Sequence, residues 1–338
     1  MRRRAWLVVA VLAAGLVRAA DIRLPSEAFA VLRDLLRGTR ESAKPVPAGK
    51  PAPAEGTPTF VSDVRLVNLS VSVSDRSGRP VRALRPDDFE VLEDGAPQKI
   101  AVAGAEEVPF NLVLLLDLSG STIRSRAAMK EAARRFVGIT RPQDRIALHL
   151  IADGLFSALS PLTEERAKLI ELLDGIPDLR GNSPIYAAIL LGYAEEFAAR
   201  PQERNAMIVI SDGMDDNLVR QASEDPSLLR FDLVRKAVAA MPLVIYPIYL
   251  DSRNIFFGAR ARKQMEQVAT ESGGRLFAAR SIEDLEPVYA QVARELRSVY
   301  TLAYYPRNQK FDGRWRRIQV RARRQDVRVR SRDGYYAR

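Results

Sequence analysis

The chain has no cysteine and only one histidine in 338 residues, and these shortages remove whole classes of chemistry. Without cysteine there is no thiol nucleophile, no thiolate metal site, no lipid attached through an amino-terminal cysteine and no disulfide. Stability must come from a packed core and from any ion the chain binds. The single histidine, His149, lies within the strand-like run Arg145 to Ala152, where a satisfied core residue is the commoner role, so no nucleophile–base pair can be assembled around it. Neither a Gly-x-x-x-x-Gly-Lys loop nor a Gly-x-Gly-x-x-Gly turn occurs, which removes the common phosphate cradles. The apolar run Ala5 to Val17 is shorter than the roughly 20 residues of a spanning helix.

That short run has a different use. Met1-Arg2-Arg3-Arg4 before it and Val17-Arg18-Ala19 after it make residues 1–19 resemble an export signal with cleavage after Ala19. The expected location is the periplasm or the extracellular space, with an uncleaved anchor as the alternative. Beyond the signal, the length exceeds one ordinary domain, and a composition of 47% hydrophobic residues is enough for a sizeable core. Residues 20–59 read as a linker: Lys44-Pro45-Val46-Pro47 and Lys50-Pro51-Ala52-Pro53 favour extended chain. Within it, Pro25 to Arg37 has an amphipathic helical pattern through Phe29, Leu32, Leu35 and Leu36.

From Phe60 the period changes to two. Val67, Leu69, Val71 and Val73 share the face expected to be core, and Asp94-Gly95 after Phe89 to Glu93 signals a hairpin, so 60–106 is expected to be a small β-sandwich unit. Residues 107–297 alternate strand and helix patterns, which predicts an α/β fold with a doubly wound, mostly parallel sheet and right-handed crossovers. Residues 298–338 turn strand-like again and are strongly basic. From Arg297 to Arg338 there are thirteen Lys or Arg against three Asp, a local +10 equal to the formal net charge of the whole chain. Arginines at alternate positions are usually a solvated sheet face; the other use is an anionic partner, because guanidinium groups bind phosphate and carboxylate well. Nucleic acid is disfavoured by export. These tail strands follow the last helix and could complete the 60–106 unit, making the sandwich discontinuous around an inserted α/β domain.

The chemistry concentrates where the apolar strand Leu112 to Leu116 stops at Asp117-Leu118-Ser119-Gly120-Ser121. An Asp after a buried strand is also an ordinary turn or capping residue. Two further segments favour a site. Gly181-Asn182-Ser183-Pro184 opens a helix, and the strand Ala206 to Ile210 ends in Ser211-Asp212-Gly213. Ligands in open α/β sheets bind outside the carboxyl ends of the strands, so Asp117, Ser119, Ser121, Ser183 and Asp212 can converge there. Carboxylates and hydroxyls are hard oxygen donors suited to a cation such as Mg²⁺.

This order of motifs resembles the von Willebrand factor type A (VWA) domain with its metal-ion-dependent adhesion site (MIDAS). The flanking Val71 to Val81 and Asp87 to Gly95 stretches, Tyr304-Tyr305-Pro306 and Arg332-Asp333-Gly334-Tyr335-Tyr336 are similar to VWFA-related secreted bacterial proteins of the Acidobacteria type. The resemblance implies that Asp117, Ser119, Ser121, Ser183 and Asp212 hold Mg²⁺, or Mn²⁺ or Ca²⁺, with a remaining position for a carboxylate of a protein partner. Ser183 stands where the family usually has Thr, and lacks the methyl that stiffens the rotamer. The implied function is metal-bridged protein binding without bond breaking. A haloacid-dehalogenase type phosphotransferase needs a second Asp two residues after the first, and that place is Ser119. The alternative to metal-bridged binding is a structural or surface-association protein using its arginine-rich strands.

Overall fold

The computed structural model describes residues 22–23, 25–37, 66–104, 109–179, 181–215, 229–250, 257–279 and 284–337. The signal-like segment 1–19, the proline stretch 38–59 and the strand start at 60–65 lie outside the described residues.

The larger sheet runs, edge to edge, β1 (Ile22–Arg23), β8 (Leu155–Thr163), β7 (Arg145–Ala152), β6 (Asn111–Asp117), β9 (Asn205–Ser211), β10 (Val244–Leu250) and β11 (Phe277–Ala279). Strands β7 to β11 pair in parallel, while β8 and β1 add antiparallel pairs at one edge. Uninterrupted aliphatic runs form these strands because both faces are covered. Leu112, Leu114 and Leu116 enter one core with helices α2 (Arg126–Ile139), α3 (Arg166–Gly175) and α6 (Leu285–Leu296). Val113 and Leu115 enter the other, with α1 (Pro25–Arg37), α4 (Ile185–Glu196) and α5 (Phe231–Ala240). A change such as Leu114→Ala, at a fully buried site, costs about 2–5 kcal/mol through lost transfer energy and a residual cavity.

Chain order around β6 positions the site. After β6 the chain steps to β7 on one side, and it later returns to β9 on the other. Helix α2, which follows β6, packs on one face of the sheet; α5, which follows β9, packs on the opposite face. The loops leaving β6 and β9 therefore diverge and open a crevice at the switch point.

Two elements go beyond the sequence reading. Strand β8 has no counterpart in it, although Asp153-Gly154 between two strands is a hairpin signal; both residues have positive φ, 50° and 73°, as a type I′ turn requires. The other is α1, placed by sequence within the linker segment but packed on α4 and α5. Helix α4 is apolar on all sides, with every residue from Ile185 to Tyr193 buried, and such a helix needs cover on the face away from its sheet. Ala28, Leu32 and Leu35 of α1 supply it. His149 is also accounted for: it is fully buried, 3.3 Å from Glu196 and edge-on to Phe156.

The remaining strands form two four-stranded sheets. One is β14 (Val327–Arg330), β2 (Val67–Asp75), β12 (Tyr300–Tyr304), β5 (Ile100–Gly104); the other is β15 (Gly334–Tyr336), β13 (Trp315–Ala322), β3 (Phe89–Glu93), β4 (Ala96–Gln98). β2 lies between β12 and β14, and β3 pairs with β13, so each sheet joins strands from both ends of the chain. Val67, Leu69, Val71 and Val73 meet Phe89, Tyr300, Leu302 and Ile318 in their shared core. Buried in it, Glu93 pairs with Arg316 at 3.0 Å and accepts hydrogen bonds from the Tyr304 and Tyr335 hydroxyls at 2.7 and 2.9 Å. Part of the basic tail is thus turned inward: Arg316 binds Glu93 and Arg330 binds Glu295, while Arg317, Arg321 and Arg328 face solvent.

Candidate metal centre

Asp117 ends β6 with its carboxylate fully buried and held on both oxygens. The Ser119 amide donates to Oδ1 at 3.0 Å, and the Ser211 hydroxyl, at the end of β9, donates to Oδ2. Backbone atoms of the same turn are held by two residues with no place in the sequence reading. The Thr122 hydroxyl donates to the Asp117 and Ser119 carbonyls at 2.7 and 3.1 Å, and Arg126 Nη2 donates to the Leu118 and Ser119 carbonyls at 2.6 and 2.9 Å. The turn is therefore pre-organised, with the Ser119 and Ser121 hydroxyls 3.1 Å apart.

Asp212, one residue past β9, is buried and accepts the Met214 amide at 3.1 Å on Oδ1. Its Oδ2 is buried without a hydrogen-bond partner among the described residues, an arrangement proteins normally avoid. Burial first, and the adjacent Asp117 carboxylate second, push the Asp212 carboxyl up to about 6, against the pull of the Met214 amide and the nearby Ser121 hydroxyl.

The third loop is fastened to the first by the Gly120 amide donating to the Gly181 carbonyl at 2.9 Å. Ser183 lies two residues further on, buried at the start of α4, and Pro184 gives its carbonyl to the Ala188 amide at 2.9 Å as the helix begins. The β7–β8 hairpin turn supports this loop from the far side. The Gly154 amide donates to the Asn182 carbonyl at 3.1 Å, and Gly181 has φ 104° with no space for a side chain, since a Cβ there would lie 2.4 Å from Asp153 Oδ1. Asp215, buried and also missing from the sequence reading, accepts the Tyr186 amide at 3.1 Å and so ties the third loop's helix to the loop after β9. Its signal is a third acidic position just past Ser-Asp-Gly. Asp117, Ser119, Ser121 and Asp212 are thus gathered side by side, with the loop bearing Ser183 bonded to theirs.

Residues 112–214 match the family model for the von Willebrand factor type A domain. This chain carries a VWA domain. Among solved structures, it is similar to an aerotolerance-related membrane protein from Bacteroides fragilis (16% identity, 55% of this chain and 98% of that one, TM-score 0.42). It is also similar to the von Willebrand domain of a type V pilus tip protein from Porphyromonas gingivalis (15%, 56% and 95%, 0.43). A third is proximal thread matrix protein 1 from the mussel byssus, described with a zinc-occupied MIDAS motif (15%, 61% and 50%, 0.44). The search of curated proteins returned no match. Among the described residues no three Asp, Glu or His side chains cluster as a metal site. No described helix is long and apolar enough to cross a membrane.

Proposed function

We propose that this protein is exported and binds a protein partner through a divalent cation held by Asp117, Ser119, Ser121, Ser183 and Asp212. The observation that carries the reading is Asp212 Oδ2: a buried carboxylate oxygen with no donor among the described residues, beside a second buried carboxylate. A cation offsets that repulsion, and an all-oxygen set of two carboxylates and three hydroxyls fits Mg²⁺ or Mn²⁺, with Ca²⁺ the larger alternative. When bound, the ion supplies a positive charge with open coordination for an acidic side chain of the partner. Ile123, 45% exposed in the same loop, adds an apolar contact beside it. Asp212 has the raised proton affinity of a general acid, but no nucleophile–base pair stands beside it among the described residues, so the reading is recognition and not turnover.

The division proposed for the chain is a VWA domain inserted into a β-sandwich, with the sandwich serving as its base. The test is thermal unfolding of the protein in EDTA and then in Mg²⁺, Mn²⁺, Ca²⁺ or Zn²⁺, beside Asp117→Ala. A ligand bound only by the folded state raises stability by mass action. The expected result is a metal-dependent rise absent from the variant, together with EDTA-sensitive partner capture. No rise with any ion, and partner capture indifferent to EDTA, would remove the metal from the function.

A further inference from the structure

The Arg332-Asp333-Gly334-Tyr335-Tyr336 motif has no part in the metal centre, which lies at the carboxyl ends of the parallel strands. It lies instead at the junction of sandwich and VWA domain, beside two cavities of about 600 and 670 Å³. The cavities share Asn68, Pro201, Gln202, Pro242 and Arg332, so Arg332 stands between them. Part of the motif is structural. The Tyr335 hydroxyl serves Glu93, and Gly334 is needed because a Cβ would meet the Arg316 carbonyl at 2.3 Å.

Arg332 is held by a backbone carbonyl, as Arg126 and Arg166 also are, but it stands at a cavity. Arg316, Arg330, Arg275, Arg145 and Arg235, which are buried or half-buried, each reach a carboxylate: Glu93, Glu295, Glu295, Glu203 and Glu271. Arg332 reaches none among the described residues. It donates to the Asn68 carbonyl at 3.0 Å and lies 5.7 Å from the Tyr335 ring centre, and its Nε is buried without an acceptor. A half-buried guanidinium with no carboxylate among the described residues is costly, and burial pulls its proton affinity down against the weaker opposing pull of the Tyr304 and Tyr335 hydroxyls.

The larger cavity supplies the other half of a site. Tyr193, Phe311, Tyr335 and Tyr336 line it, Arg332 is its only charged lining residue among the described residues, and the Asn68 and Gln202 amides bond to each other. Its volume is in the range of small-molecule pockets. One guanidinium matches one negative charge, and a planar carboxylate can take two parallel N–H bonds from it. Aromatic walls suit a flat apolar body.

We propose that the junction cavity binds a small aromatic monocarboxylate, its carboxylate on Arg332 and its ring among Tyr193, Phe311 and Tyr336. The site is separate from the metal centre and indifferent to divalent ions.

The test is ligand-observed NMR titration of the full chain with phenylacetate, its neutral isostere phenylacetamide, and inorganic phosphate, each in EDTA. For a ligand of this size, binding near 1 mM is expected. Phenylacetate should bind at least about tenfold more tightly than phenylacetamide or phosphate, and Arg332→Gln should remove that preference. Gln202→Trp, on an exposed loop, fills the space both cavities share and should abolish binding; it decides the matter if Arg332→Gln does not fold. Equal binding of acid and amide, phenylacetate affinity unchanged in the folded variants, or no binding up to about 10 mM overturns the proposal.

Discussion

Asp212→Asn should make the metal-free protein more stable while removing its response to metal. In the metal-free state Asp212 keeps a negative charge beside Asp117, buried, with one oxygen lacking a donor. Each tenfold change in proton affinity is about 1.4 kcal/mol, so a carboxyl moved from 3.8 to about 6 holds roughly 3 kcal/mol of unfavourable charge at neutral pH. Asparagine is the same shape, keeps an acceptor for the Met214 amide, and replaces the unpartnered oxygen with an uncharged N–H donor. Urea unfolding in EDTA at pH 7.5, a pH chosen to lie about one unit or more above that carboxyl, should show a gain of up to about 3 kcal/mol with unchanged denaturant slope. The pH dependence has a definite sign. Because the folded carboxyl titrates above its ordinary value, the folded state binds the extra proton between about pH 4 and pH 6. The penalty is therefore full above pH 6 and is lost as pH falls toward 4, a relief present in the wild type and absent from the variant. A variant no more stable than wild type in EDTA would refute the buried repulsion. A stabilised variant that still responds to metal would refute Asp212 as a ligand.

Other perturbations test the supports. Gly181→Ala forces a Cβ into Asp153 at a positive φ and should cost at least about 2 kcal/mol in chemical unfolding and weaken the metal response. Arg316→Met leaves Glu93 buried without its cation and should cost about 3–5 kcal/mol, with part recovered by adding Glu93→Gln. A fragment spanning residues 60–104 should show no cooperative unfolding by circular dichroism, because β2 and β3 find their neighbours in β12, β13 and β14; a sharp transition would show that the segment holds its own core.

What could be read in the sequence is what local pattern controls. Aliphatic runs fixed the buried parallel strands, since residues such as Leu112 to Leu116 can sit only between two covered faces. The period of two in Val67 to Val73 fixed the sandwich face. The three oxygen-bearing loops were legible because each follows directly from a strand end or opens a helix. Other features depended on partners distant along the chain. Leu155 to Thr163 became a strand because Asp153-Gly154 folds it back along β7, and its polar positions and Pro161 masked the pattern. Pro25 to Arg37 became structural because α4 has no polar face to offer solvent. Arg126 and Asp215 gained their roles from the carbonyl and amide groups that folding brought within reach. The basic tail shows the division most plainly: sequence determined how much charge it carries, but only tertiary packing decided that Arg316 and Arg330 meet buried glutamates. Arg332, by the same packing, was left in a cavity without one.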